Sequence, residues 1–424
     1  MRRYRPQYWP HPNDDEPSCR LVYVATDPTA IERQQGPQLA FFRELGFHVT
    51  AIASPGPELW RAADSQQITA RAIPIPREIN PTRDLIALFR MHRVLRQIRP
   101  DIVNAGTPKA GLLGMLAARL SQVPVRIYTQ RGLRLETVSG LKQRVLTLAE
   151  RRACDSAHRV VCVSNSLRRQ SLCRKLTTPE KAVVLANGSS SGVDAQRFGT
   201  PPQSNVLKSL RERFRLPFGA PVVGFVGRLT RDKGIAELYR AVNQLRQSHP
   251  ETRLLLVGEF EAGDPVDAQT VQSLRQDART SITGTVADAS PFYHLMTVLG
   301  FPSFREGFPN APLEAACAGV PSVAFAATGT VDAIQDEVTG ALVPFGNVTL
   351  FANALKRYLD NSEIRLLHGR AAMRRATTEF APQLIWTNLL TLYISLLRSN
   401  GMADRIPRQA LAYLRDQSAA KLAA

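Results

Sequence analysis

Nowhere do the 424 residues contain eighteen consecutive apolar side chains, so no segment is expected to cross a bilayer as a helix. The longest candidate, residues 384–397, is interrupted by Thr387, Asn388, Thr391 and Ser395. No apolar stretch follows the arginines of the opening MRRYRPQYWPHPNDDEPSCR, which excludes a secretory signal. Residues 1–18 read instead as a disordered leader. The five cysteines, Cys19, Cys154, Cys162, Cys173 and Cys317, are odd in number and show no C-x2-C pair. That pattern argues for reduced thiols in a cytosol and against a structural zinc. No D-x-D pair stands at a strand end, the G-x4-G-K-[ST] loop is absent, and no repeat of 20–50 residues is visible. What is present is ordinary globular material, 44% hydrophobic and 21% charged, long enough for two or three domains.

Acid is scarce in one half. Residues 1–200 carry 30 Lys+Arg against 16 Asp+Glu (+14), and residues 201–424 carry 24 against 20 (+4), which together give +18. A basic first half implies an anionic partner there: a membrane surface, a diphosphate lipid or a nucleic acid. A generally arginine-rich composition would give no such asymmetry. Residues 83–99 form an expected helix with Leu85, Ile86, Leu88, Phe89, Leu95 and Ile98 on its apolar side. Arg90, Arg93, Arg96 and Arg99 share another face, which is either simply solvated or touches a membrane. Lys142, Arg144, Arg151 and Arg152, interleaved with Val145, Leu146 and Leu148, give a second basic amphipathic helix; Arg168, Arg169, Arg174 and Lys175 add a third cluster. Three clusters favour an anionic bilayer surface. No aromatic-basic motif supports nucleic acid.

The apolar runs alternate strand with helix. Strands are expected at residues 21–25, 47–53, 101–104, 125–129, 159–163 and 182–185, then at 222–226, 253–257, 298–301, 320–325 and 338–344. A helix is expected at 37–45 and the interdomain linker at 199–205. This order describes parallel βαβ units, in which ligands sit where strands hand over to helices. The most informative handover is residues 304–319, FREGFPNAPLEAACAG. Pro312 suits a first helical position and Gly319 a helix stop, so the helix N-terminus would offer free amides to a phosphate. Glu306 and Glu314 flank it, eight positions apart. They either grip hydroxyls at the two ends of a sugar nucleotide, or are a solvated loop acid and an N3 capping residue. Earlier, Gly227, Arg228 and the pair Lys233-Gly234 (GRLTRDKG) put two cations beside another helix start.

These stretches resemble, in order, the motifs of the retaining family 4 glycosyltransferases of the GT-B fold, in particular a subgroup linked to bacterial surface polysaccharides. The likeness covers roughly residues 20–400. REGFPNAPLEA is similar to the family's Glu-x7-Glu signature, GRLTRDKG to its G-R-x4-K-G diphosphate clamp, ANGSSSGVDAQRF to its NGVD-x3-F boundary motif through Asn187, Gly192 and Asp194, and residues 338–344 to its G-x-L-V-P closing strand. The resemblance implies an α/β chain of two Rossmann-like, doubly wound parallel-sheet domains facing across a cleft. Residues 19–200 would form the acceptor-side domain and 206–384 the donor-nucleotide domain. A helix at 385–400 would return to the first domain, followed by a tail at 401–424. It implies Glu306 on the donor hexose, Glu314 on the ribose, and Arg228 and Lys233 on the diphosphate. Gly307, Phe308, Pro309, Asn310, Leu313, Gly227 and Glu259 would line the donor site. Gly36 alone matches the family's glycine-rich first loop, and is also readable as an ordinary turn glycine. Arg131 stands where many relatives have a histidine, and Thr297 where the family usually has an aspartate. Arg131, Glu136 and Lys109 fall on the acceptor side, although Lys109 is equally readable as a surface lysine.

The expected activity is transfer of a hexosyl or N-acetylhexosaminyl group, with retention, from a nucleotide sugar such as a UDP-sugar to a glycan acceptor, with no metal or cofactor. The expected partners are the donor, a polyprenyl-diphosphate-linked acceptor and an anionic membrane, which puts the protein in the cytoplasm at the inner face of the plasma membrane. The rivals are a sugar-nucleotide epimerase of the same fold, which would need a histidine where Arg131 stands, and a non-catalytic basic lipid- or nucleic-acid-binding protein.

Overall fold

The computed structural model describes residues 19–76 and 80–423; the expected leader, residues 1–18, lies outside the described residues. The chain forms two compact units, one running to Ser191 and resuming at Pro382, the other comprising Gly192–Ala381.

The first unit is built on seven parallel strands: β1 (Arg20–Val24), β2 (His48–Ala53), β3 (Thr69–Ala72), β4 (Ile102–Gly106), β5 (Val125–Gln130), β6 (Arg159–Cys162) and β7 (Ala182–Val183). Their order is β3-β2-β1-β4-β5-β6-β7, so the winding reverses between β1 and β4. Strand β4 is buried throughout, as suits a parallel strand covered on both faces. The helices α1 (Pro81–Ile98), α2 (Pro108–Leu120) and α3 (Gly140–Ser156) each carry the chain one strand onward in the same direction or across the reversal. Right-handed crossovers therefore set all three on one face of the sheet, with α2 packed against both neighbours. Asp84 in the first turn of α1 pairs with Lys109 in the first turn of α2 at 2.8 Å, which aligns the two helix starts.

Four expectations are corrected in this unit. The inward stripe of α1 is Ala87, Met91 and Leu95, while Leu85, Ile86 and Phe89 face solvent. The helix packs beside α2 and buries only a narrow i, i+4, i+8 row. The expected loop after β1 is helical from Pro28 onward: Asp27 caps it by accepting from Thr29 N (2.9 Å), and a π turn, Ile31–Gln35, leads into the helix Gly36–Glu44. Gly36 has a helical φ of −48° and is not a turn glycine. The expected tail is a packed helix, Arg408–Ala423, with Ala410 buried and Tyr413 Oη 3.0 Å from Thr387 Oγ1.

The helix Pro382–Ser399 completes the core of the first unit. Leu390, Tyr393, Ile394 and Leu397 are buried among Phe42, Phe47 and Leu39. Tyr393 Oη lies 3.0 Å from Tyr23 Oη and accepts from Asn104 Nδ2 at 2.7 Å. By length and composition alone the stretch Ser362–Ser399 is apolar enough to cross a membrane, but this part of its apolar surface is spent on the core.

The second unit holds six parallel strands: β8 (Val222–Val226), β9 (Arg253–Val257), β10 (Thr280–Ile282), β11 (Val298–Phe301), β12 (Ser322–Phe325) and β13 (Gly340–Val343), in the order β10-β9-β8-β11-β12-β13. Its winding reverses between β8 and β11. The chain enters this unit at Gly192, ahead of the linker expected at 199–205. That stretch lies inside the unit because Asp194 caps the helix Ala195–Gly199 (from Arg197 N, 3.0 Å) and Phe198 packs edge-on against Tyr293 at 5.8 Å.

Candidate active site

In the second unit, adjacency of β9, β8 and β11 brings three strand-end loops together at the carboxyl edge, where open parallel sheets bind ligands. Gly227 and Gly258 both adopt φ 147°, and a Cβ on Gly258 would lie 1.9 Å from Gly227 O. Only glycine permits that approach. Leu229 N then donates to Glu259 O at 2.9 Å. Glu259 thus contributes backbone, with its side chain exposed; Glu261, two residues on, forms the ion pair with Arg228.

The loop after β8 continues as a 3₁₀ turn, Arg231–Lys233, ending at Gly234 with φ 71°. A Cβ there would lie 2.1 Å from Pro302 O in the loop after β11, and Phe304 N donates to Asp232 O at 2.8 Å. This seam joins the two halves of the sequence signature. Lys233 Nζ forms a direct ion pair with Glu306 Oε1, their side chains only 15% and 12% exposed, and Ser303 Oγ donates to the same oxygen at 2.8 Å. Glu306 is therefore no solvated loop acid. Beside it Arg305 Nη2 pairs with Asp232 Oδ2 at 2.6 Å, and Thr230 Oγ1 donates to Asp232 Oδ1 at 2.6 Å. Burial pushes the Asp232 carboxyl up, but the Thr230 hydroxyl and the charges of Lys233, Arg305 and Arg228 outweigh it and leave it below its ordinary value. The site is thus rich in cations, each already holding an acid.

The helix α4 (Ile235–Leu245) starts directly after Gly234, and behind the loop stands α5 (Asn310–Cys317). Pro309 in extended conformation (φ −78°, ψ 130°) is the residue before the helix, so Pro312 occupies the third helical position and not the first. The proline is tolerated because first-turn amides lack intrahelical acceptors. Glu314 is consequently the fifth helical residue, which removes the N3 capping alternative. Its carboxylate accepts from the buried Tyr293 hydroxyl at 2.5 Å. Burial pushes its pKa up, opposed by Tyr293 and Arg197 and reinforced by Asp288. Phe308 is buried against Phe380 (5.1 Å), Leu313 is buried, and Gly307 O approaches Gly329 so closely that a Cβ there would sit 2.3 Å away. Thr297, where the family usually has an aspartate, accepts from Val222 N through its hydroxyl at 3.0 Å.

Gly36, Lys109, Arg131 and Glu136 belong to the first unit. At its own winding reversal Thr26 Oγ1 and Thr107 Oγ1 meet at 2.9 Å, and Thr107 holds φ 71°, ψ 148°, a conformation costly for a β-branched residue. Arg131 lies over Gly106, where a Cβ would meet Arg131 Nε at 2.9 Å; that nitrogen is buried with no hydrogen-bond partner. Burial pushes the guanidinium pKa down, countered by Tyr23 and Tyr393. Lys109 is largely covered and paired to Asp84, so it is not a plain surface lysine. Glu136 sits half-buried in the 3₁₀ turn Arg134–Thr137.

Sequence reasoning missed Asp232, Glu261, Arg305, Ser303 and Tyr293. The first and third flank Lys233 and Glu306 in the chain, and their adjacency to the signature was the available signal. Glu261 and Tyr293 had none, since only the strand order brings them in. It also missed Glu150, whose buried carboxyl accepts from Tyr128 Oη (2.9 Å) and Gln130 Nε2 (3.3 Å). Burial pushes it up to about 7, against those two hydrogen bonds.

Comparison with known proteins fits this geometry. Residues 220–361 match the family described as Glycosyl transferases group 1, and residues 30–188 the Glycosyl transferase 4-like domain. The capsular polysaccharide biosynthesis glycosyltransferase CapM of Staphylococcus aureus is 33% identical over 384 residues, covering 90% of this chain and 98% of that protein. The UDP-Gal:alpha-D-GlcNAc-diphosphoundecaprenol alpha-1,3-galactosyltransferase of Escherichia coli is 25% identical over 305 residues, 70% of this chain and 77% of that one. Among solved structures, Anabaena HepE in complex with UDP and glucose superposes with a TM-score of 0.73 at 17% identity, over 89% of this chain and all of that one.

Proposed function

The chain belongs to the group 1, 4-like glycosyl transferases of GT-B fold, and on that premise we propose that it moves a hexosyl or N-acetylhexosaminyl group, with retention, from a UDP-sugar to a lipid-diphosphate-linked glycan in cell-surface polysaccharide synthesis. The observation that carries the donor assignment is the meeting of Lys233 with Glu306 at the winding reversal of the second unit. The relatives support the rest: one serves capsular polysaccharide biosynthesis, another uses a UDP-sugar and a diphosphoundecaprenol-linked acceptor.

In this mechanism the donor diphosphate displaces two carboxylates from their cations, Glu261 from Arg228 and Glu306 from Lys233. Glu306, once freed, accepts from a hydroxyl of the hexose, while Glu314, braced by Tyr293, accepts from the ribose. The charge growing on the departing diphosphate is stabilised by Arg228, Lys233 and the first amides of α5, with no resident metal or cofactor. Removing one preorganised donor of this kind costs about 3–4 kcal/mol in the transition state. The leaving phosphate takes the acceptor proton on the same face, which preserves configuration. Arg131 and Lys109, with Glu136, bind the acceptor on the first unit, and the protein works at the inner face of the plasma membrane.

The test is a thermal-shift screen against UDP-, GDP- and dTDP-sugars, followed by product analysis with a lipid-diphosphate glycan. Stabilisation by a UDP-sugar and an α-linked product from an α-linked donor are expected. Stabilisation by none of the nucleotides, or an inverted product, would refute the reading.

A further inference from the structure

Arg131 carries a charge that nothing in the first unit balances. It follows β5 at the carboxyl edge of the sheet, and its Nε is buried with no hydrogen-bond partner. Among the described residues no carboxylate pairs with it, and the groups it faces are the hydroxyls of Tyr23 and Tyr393. Those two hydroxyls meet at 3.0 Å, and Tyr393 accepts from Asn104 Nδ2 at 2.7 Å. A guanidinium cannot shed its proton, so taking it out of water without an anion is costly. The exposed arginines of α1 and α3 escape that cost by staying hydrated; Arg131, half-buried, does so only in part.

Its surroundings supply the rest of an anion cradle. The side chain lies over Gly106, where a Cβ would stand 2.9 Å from Nε, so the bare backbone at 106 is what admits the guanidinium. Directly after Gly106 comes Thr107, the residue before α2, which gives the first amides of that helix no side-chain hydrogen bond. Its hydroxyl turns to Thr26 at 2.9 Å instead. A helix of 13 residues with uncapped first amides adds partial positive charge beside the arginine. Lys109 adds no net charge, since Asp84 balances it.

The charges choose the ligand. A single unbalanced cation suits a monoanion, and a planar guanidinium fork suits two oxygens held in a plane, which describes a carboxylate. A diphosphate linkage would bring two negative charges to one cation. We propose that Arg131 reads a carboxylate on a sugar substrate, so that the enzyme handles an acidic glycan unit of the hexuronic class. This rests on the proposed function for the reaction itself and adds the charge of the sugar bound at the winding reversal of the first unit.

The experiment titrates the full chain, in the presence of UDP, with methyl α-D-glucuronide, methyl α-D-galacturonide and their neutral parent glycosides, read by ligand-observed NMR. A second arm compares UDP-glucuronate with UDP-glucose, and a third titrates inorganic phosphate. Wild type should hold a charged sugar about ten- to hundredfold more tightly than its neutral parent, the range of a hydrogen bond to a charged group. Preference among the glycosides assigns the carboxylate to the acceptor, and preference between the UDP-sugars assigns it to the donor. Arg131→Met should lose the preference, keep its affinity for UDP, and melt no lower than wild type, because it deletes an unbalanced cation. Gly106→Ala keeps the cation but displaces Nε, and should lose the preference too. Equal binding of charged and neutral sugars by wild type in both arms would overturn the proposal, as would a preference that survives Arg131→Met. Phosphate binding that Arg131→Met abolishes, in a protein without sugar preference, would overturn it in favour of a phosphate ligand. A charged-sugar preference in a protein that UDP does not stabilise would keep the carboxylate site and refute the donor site.

Discussion

Replacing Lys233 by alanine isolates the central pair. The substitution leaves Glu306, 12% exposed, with the Ser303 hydroxyl and no cation. Breaking a fully buried pair costs about 3–5 kcal/mol; partial exposure and the remaining hydrogen bond reduce this to about 2 kcal/mol. For a unit of this size that is roughly 4–8 °C in its unfolding midpoint. Lys233→Met/Glu306→Gln removes the stranded charge with its partner, so it should recover about 1 kcal/mol relative to the single change. Activity should behave otherwise: kcat/KM falls about 10²–10³-fold in Lys233→Ala and stays low in the double variant. Calorimetric unfolding and a radiolabelled-sugar transfer assay read the two quantities separately. A Lys233→Ala protein with wild-type midpoint and wild-type transfer would refute both the pairing and its role.

Glu261→Gln frees the half-exposed Arg228, so UDP binding measured by titration calorimetry should tighten by up to about fivefold, the range of a surface ion pair; weaker binding would remove Glu261 as a competitor of the diphosphate. Gly234→Ala drives a Cβ into Pro302 O and strains a positive φ, about 1–3 kcal/mol, and should abolish UDP stabilisation by parting the two loops. Glu150 is raised to about 7 from an ordinary 4.5, so the folded state favours its neutral form. Its contribution is present below pH 4.5 and is lost as the pH rises through 7. Glu150→Gln should therefore gain stability relative to wild type on going from pH 5 to pH 8 in thermal melts, and parallel curves would refute the buried charge.

Much of this was legible because strand runs of Val, Leu and Ile separated by glycine-bounded helices specify parallel units locally. The signature residues could be read too, since Lys233-Gly234 and Glu306 each lie in the loop that follows a strand. What could not be read depended on neighbours chosen by topology. Glu261 became the partner of Arg228 because β9 lies beside β8, and Tyr293 met Glu314 through packing distant in sequence. The face of α1 misled because an apolar pattern on both sides of a helix does not say which side its neighbours will cover. Pro312 misled by two positions because the helix starts at Asn310, directly after the extended Pro309.

The helix Pro382–Ser399 has a consequence for biosynthesis. Tyr23 and Tyr393, in contact, are 370 positions apart, and the whole second unit is threaded between them. On the ribosome the second unit, a contiguous segment, can finish before the first, although its sequence begins later. Until the closing helix emerges, Phe42 and Leu39 on the helix Gly36–Glu44 lack part of their apolar cover and stay open to aggregation. A stop codon shortly before Pro382 should therefore yield a donor-competent half attached to an insoluble one.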